Sequence, residues 1–173
     1  MKTGTLGAVV LFVVLNLIIR AEETAAIPAS QKEETPVVSQ PAETASEWLT
    51  DYEAALRKAK AEDKPILLDF TGSDWCGWCI KLKKEVFDQP AFKKFAADNL
   101  VLVELDFPMR KPQSPSLKAQ NRKLQTQFRI EGYPTIVLLD SSGKEIARTG
   151  YRSGGAEAYI KHLQELLTKN KPK

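Results

Sequence analysis

The pattern of apolar and polar positions divides the chain into three regimes. Gly4 to Ile19 is an uncharged run rich in Leu, Val and Ile, bounded by Lys2 and Arg20. Residues 21–45 hold almost no large apolar side chain. From Ser46 onward, short apolar runs alternate with stretches whose apolar residues recur every three or four positions. That alternation predicts buried strands set between amphipathic helices.

Taken in order, Ser46 is placed to cap a helix whose inner face carries Trp48, Tyr52, Ala55, Leu56 and Ala59. Pro65–Phe70 is apolar but long enough only for a buried strand. The loop Thr71–Asp74 then delivers a helix that opens at Cys76, buries Cys79, Leu82 and Val86, and turns Lys81, Lys84 and Glu85 to water. Gln89-Pro90 breaks it, and Ala91–Asp98 makes another turn or two with Phe92 and Phe95 inward. Leu100–Phe107 predicts a second buried strand. An insertion over Pro108–Pro115 holds three prolines and leads into a helix from about Leu117 to Phe128. An apolar run ending at Leu139 follows, then a hairpin turn at Asp140-Ser141-Ser142-Gly143 and an edge strand over Lys144–Gly150. Gly154-Gly155 precedes a final helix, Ala156–Thr168, with Tyr159, Ile160, Leu163, Leu166 and Leu167 apolar. This order reads as an α/β domain, a mixed sheet covered on both faces.

Composition changes that picture little. At 173 residues and 43% hydrophobic the chain can build one ordinary domain with tails. A net charge of +3 gives no argument for nucleic acid, and no nucleic-acid module is legible. Residues 1–20 have the charged start and apolar centre of an export signal. Their sixteen-residue core falls short of the roughly twenty needed to cross a bilayer squarely. Cleavage after Ala21 or Ala26 and retention as an N-terminal membrane anchor both stay open. No cysteine follows the run, which removes a lipid-modified N-terminus. Residues 21–45 contain Pro28, Pro36 and Pro41, five acids and one base, the composition of a disordered tether. The domain is expected over 46–169, with a basic tail at 170–173. From Ser46 onward 22 bases stand against 17 acids.

The candidate chemistry is concentrated in Trp75-Cys76-Gly77-Trp78-Cys79, which holds both cysteines of the chain. Residues i and i+3 of a helix share a face, so the two thiols can close on each other if Cys76 opens the helix. Unpaired N–H groups and the positive end of the helix dipole stabilise a thiolate there and lower its pKa from the free value of about 8.5. Cys76 is therefore the attacking thiol, and Cys79, one turn further in, resolves the mixed disulfide. A structural disulfide is the plainer alternative, although closing so short a loop stabilises little. One CxxC and a single distant His162, expected at the surface, cannot fill a four-ligand zinc site. No metal or cofactor is implied.

With these elements in place the chain from about Ser46 to Lys169 resembles the thioredoxin-fold family. The likeness rests on Leu68-Asp69-Phe70 before the CxxC, on Tyr133-Pro134-Thr135, and on the closing hairpin and helix. It is nearest to secreted bacterial thioredoxin-like proteins, including the periplasmic reducing domain of the membrane thiol:disulfide interchange protein. The resemblance implies a cis Tyr133–Pro134 bond lying against the dithiol, with the Tyr133 backbone pairing a substrate segment by strand addition. It implies that Asp69 is the buried carboxylate that takes the proton of the resolving thiol. Two departures bear on that role: one extra residue between Asp69 and Cys76, and Glu104 where many members place a lysine. Trp75 matches a family tryptophan. Trp78 stands where proline or histidine is commoner, and the two indoles would rim the dithiol around Gly77.

The expected function is an extracytoplasmic, periplasmic-type thiol:disulfide oxidoreductase, with disulfide reduction favoured. Gly77-Trp78 offers no imidazole to stabilise the Cys76 thiolate, and Asp74 adds nearby negative charge. Helix-terminus stabilisation of about 0.3–1 kcal/mol is less than one pKa unit, whereas a strong oxidant needs a very stable thiolate. Oxidase or isomerase activity is the alternative, and a copper-handling module with Met109 as third ligand is a more distant one. The expected partners are disulfide-containing proteins and a membrane or periplasmic electron donor, with the chain a monomer. Arg110, Lys111, Lys118, Arg122, Lys123 and Arg129 lie in an acid-free stretch, either a docking surface for an acidic partner or an idle solvated face.

Overall fold

The computed structural model describes residues 47–169. The expected export segment, the tether, Ser46 and the basic tail lie outside them. Among the described residues no helix is long and apolar enough to cross a membrane.

The elements run β1 (Trp48–Leu49), α1 (Tyr52–Glu62), β2 (Ile66–Thr71), α2 (Gly77–Leu82), a π-helical turn (Lys83–Phe87), α3 (Pro90–Asn99), β3 (Val101–Asp106), α4 (Pro115–Gln127), β4 (Thr135–Leu139), β5 (Glu145–Thr149) and α5 (Gly155–Lys169). Five strands form one sheet in the order β1-β3-β2-β4-β5. β1, β3 and β2 are parallel, while β4 pairs antiparallel with both β2 and β5. All six residues of the central strand β2 are buried. Successive strand side chains face opposite ways. Ile66, Leu68 and Phe70 accordingly pack with Tyr52, Ala55, Leu124 and Phe128 of the α1 and α4 side. Leu67 joins Leu82, Phe92 and Tyr159 on the side covered by α2, α3 and α5. The mixed α/β sheet expected from the sequence is the one observed.

Two local expectations fail for physical reasons. The first helix does not take in Trp48: Asp51 caps it, its carboxylate accepting the Ala54 N–H at 3.0 Å. Trp48 and Leu49 instead extend the sheet beside Leu102 and Val103. Strand alternation sends Leu49 toward one core and Trp48 toward the other, where its ring meets Phe87 at 5.1 Å. The helix that opens at the dithiol is also not uniform. Its last five residues widen into the π turn, and the extra residue per turn lets the consecutive Val86 and Phe87 both reach the core.

Candidate active site

β2 ends at Thr71, and the loop to α2 turns back on itself, the Cys76 N–H donating to Gly72 O at 2.9 Å. Cys76 is the N-cap of α2, in extended backbone conformation. Its sulfur accepts the Cys79 N–H at 3.2 Å, one of the donors a helix start leaves unpaired. The two sulfurs are joined, with S–S 2.09 Å and Cα–Cα 5.2 Å. Cys76 is 7% and Cys79 4% exposed, so both thiols lie just beneath the surface.

Trp75 and Trp78 stand out from this point at 43% and 58% exposure. Each is held by a separate part of the chain. The Trp75 indole N–H donates to Phe107 O at 2.7 Å, and its ring meets Tyr133 edge-on at 5.7 Å. Gly72 makes that packing available, because a Cβ there would lie 2.5 Å from the Trp75 ring. Trp78 rests on Tyr151, ring centroids 5.0 Å apart, with Lys81 Nζ 5.2 Å from both rings. Tyr151 in turn donates its hydroxyl to Glu85 at 2.8 Å. Gly77, between the cysteines, is exposed, and nothing lies within 4 Å of where its Cβ would be. The Tyr133–Pro134 peptide is cis. Phe70 is registered with Thr135, which brings Pro134 alongside Thr71, where β2 enters the loop to Cys76. Gln125 Nε2 donates to the Tyr133 hydroxyl at 2.7 Å. A Cβ on Gly150 would come within 3.2 Å of Pro134 O, so the chain after β5 also closes on this loop.

Asp69 is 6% exposed, registered with Glu104 on one side and Ile136 on the other, and its Oδ1 has no hydrogen-bond partner. Burial, and then the neighbouring Glu104, push its pKa up to about 8. Alternation along β2 points it to the face covered by α2, the helix that carries Cys79.

Other expected residues lie differently. Asp74 does not direct its charge at the dithiol alone. Its carboxylate accepts the N–H groups of Met109, Arg110 and Lys111 at 2.9, 2.7 and 3.0 Å, which holds its pKa below the usual carboxylate range. Ser73 adds a second tie, accepting from Lys111 Nζ at 2.9 Å while donating to Asp106 of β3 from both N and Oγ at 2.8 and 2.6 Å. The insertion is thereby pinned beside the dithiol loop, with Met109 76% exposed. The six bases of the acid-free stretch are all exposed. His162 is half-buried rather than a plain surface residue, its Nε2 lying 3.0 Å from Thr149 Oγ1. Sequence reasoning missed Gly72, Tyr151 and the clamp function of Asp74. A tyrosine directly after Gly150 was the one visible trace of Tyr151.

Two clefts, of about 600 and 720 Å3, open around Arg129–Gly132 and around Glu62–Pro65, away from the sulfurs. The dithiol itself lies on an open rim of indoles, an arrangement suited to a polypeptide disulfide. A redox pair at a helix start, set on this sheet beside a cis proline, defines a thiol:disulfide oxidoreductase. The chain belongs to the thioredoxin-like family, whose thioredoxin-like domain profile matches residues 52–166.

Among its relatives is the disulfide bond reductase DsbH of Chlamydia pneumoniae, 40% identical over 116 residues that cover 67% of this chain and 70% of that protein. A solved structure described as DsbH oxidoreductase superposes with a TM-score of 0.68 at 36% identity, covering 81% of this chain and 99% of that one. The thioredoxin-related protein DsbJ of Chlamydia pneumoniae is 39% identical over 103 residues, covering 60% of this chain and 30% of DsbJ. The thiol:disulfide interchange protein DsbD of Yersinia pestis is 31% identical over 109 residues, covering 61% of this chain and 16% of DsbD. The chain therefore spans less than a third of those two proteins.

Proposed function

We propose that the protein is a reductase of polypeptide disulfides that works outside the cytoplasm. In the reduced protein the Cys76 thiolate attacks one sulfur of a substrate disulfide. The substrate S–S bond breaks, its second sulfur leaves as a thiolate that takes a proton from water, and a Cys76–substrate disulfide forms. Asp69 accepts the proton of the Cys79 thiol. Cys79 then attacks Cys76, the substrate leaves with both sulfurs reduced, and Cys76–Cys79 is closed. Two electrons have passed to the substrate, and an external dithiol donor must return them. Trp75, Gly77 and Trp78 form the surface on which the substrate segment lies, and the Tyr133–Pro134 backbone pairs with it as an added strand.

The observation that carries this reading is the sulfur of Cys76 at the cap of α2, accepting the Cys79 N–H. The same donor would stabilise the thiolate. The reductive direction is supported by the absence of an imidazole between the cysteines and by the likeness to a disulfide bond reductase. The chain order also fits export: a signal or anchor at 1–20, a tether at 21–45, the catalytic domain at 46–169 and a basic tail at 170–173. The domain would act as a monomer, with no bound cofactor, served by a membrane or periplasmic electron donor.

Two variants test it. Cys76→Ser should abolish turnover of insulin disulfides, and Cys79→Ser should accumulate stable mixed disulfides with client proteins. A redox titration in glutathione buffers should give a two-electron couple more reducing than that of a dedicated oxidase. Ready oxidation of a reduced, unfolded protein, with no reduction of insulin, would reverse the direction. Stoichiometric copper binding without disulfide turnover would replace the function.

A further inference from the structure

Asp69 and Glu104 are directly registered on the parallel strands β2 and β3, so their side chains stand side by side on the same face of the sheet. Their surroundings differ: Asp69 is buried, while Glu104 is half-buried and also feels the positive charge of Lys111. The other groups that face Asp69 are already engaged. Asp106 on β3 is taken by Ser73, and the Lys83 ammonium of the π turn lies 3.1 Å from Asp88. Tyr159 of α5 donates its hydroxyl to Gly150 O at 3.1 Å. On β4 the registered neighbour is the apolar Ile136. The Glu104 carboxylate makes no hydrogen bond or ion pair among the described residues.

Two adjacent carboxyls in a low-dielectric setting do not both ionise readily; one keeps a proton for the pair. The carboxyl nearer water ionises first, which leaves the proton on Asp69. We propose that Glu104 sets the proton occupancy of Asp69, and through it the pH at which Cys79 is freed to attack. Glu104 is thus a positioning residue: it touches neither sulfur nor substrate and acts only through Asp69. In the resolving step the Cys79 proton passes to the Asp69 carboxylate, the Cys79–Cys76 bond forms as the Cys76–substrate bond breaks, and the substrate thiolate is protonated by water. Asp69 afterwards returns its proton to water along the side that Glu104 leaves open.

This inference rests on Asp69 being the acceptor, and the test separates the two claims. Full-length wild type, Glu104→Gln, Asp69→Asn and the double variant are each brought to the mixed-disulfide stage, and resolution is followed against pH. The Asp69 carboxyl is titrated in parallel by carbon-13 NMR in the oxidised protein. Glu104→Gln should lower the Asp69 midpoint by roughly one unit, which raises its ionised fraction well below the midpoint about tenfold. Resolution at pH 6 should quicken accordingly, and the effect should vanish in the Asp69→Asn background. An unmoved midpoint, or an acceleration that survives without Asp69, overturns the role of Glu104. A pH profile untouched by Asp69→Asn removes the acceptor, and this inference with it.

Discussion

Asp74 and Asp69 bracket the loop that delivers Cys76, and their surroundings are opposites. Asp74 lies at the surface with three backbone N–H donors on its carboxylate, which keep it ionised. Asp69 lies in the sheet with an unpartnered oxygen and a carboxylate neighbour, which favour its neutral form. Five residues of separation in sequence do not predict this; donors and solvent do. The surface acid holds a loop in place, whereas the environment of the buried one favours its protonated form.

The comparison can be broken most sharply through stability. Folding raises the Asp69 pKa above its unfolded value, so its stabilising contribution is complete below about pH 4 and is lost as pH climbs toward 8. Asp69→Asn should therefore leave stability unchanged near pH 4 and raise it by on the order of 5 kcal/mol at pH 8–9. Urea unfolding of the oxidised protein at both pH values measures this, and a gain independent of pH would contradict the proton-storing environment.

Asp74 has the reverse sign. Its lowered pKa contributes stability that is present above its unfolded value near 4 and is lost as pH falls. Asp74→Ala should release the segment around Met109–Lys111, and limited trypsin digestion at pH 7 should cut after Arg110 much faster than in the wild type. Unchanged cleavage would mean that the Lys111–Ser73 and Gln113–Asp106 contacts hold the insertion without Asp74.

A smaller effect is expected at the indole rim around the dithiol. Trp75 is hydrogen-bonded to the chain, whereas Trp78 is kept in place mainly by the ring of Tyr151. An aromatic pair of this kind contributes about 0.5–1.5 kcal/mol. Tyr151→Ala should raise KM for a protein disulfide by a corresponding factor of roughly 2 to 12 while kcat holds. A fall in kcat alone would instead assign Tyr151 to the chemistry at the sulfurs.

Much of this was legible from residue patterns because the patterns are local. Apolar runs of strand length marked β2, β3 and β4, and the i, i+3 spacing of Cys76 and Cys79 on a helix start was enough to anticipate the disulfide. The short β1 escaped notice because Trp48 also fits a helical face, and only the open edge of β3 makes it a strand. The π turn was hidden for a similar reason. Val86 and Phe87 are adjacent, and the need to bury both arises only when Trp48, Phe92 and Tyr159 converge on Phe87.

The amino-acid sequence by itself determined which atoms can react: two sulfurs one helical turn apart, at a position where unpaired N–H groups gather. Tertiary structure alone decided what surrounds them. It set Glu104 against Asp69, drew the 109–111 backbone onto Asp74 and laid Tyr151 beneath Trp78, joining segments 35 to 73 residues apart. The reason is physical. A bond between near neighbours depends on backbone geometry that the residues carry with them, whereas the charge and solvation of a buried group depend on whichever distant strands and loops close over it.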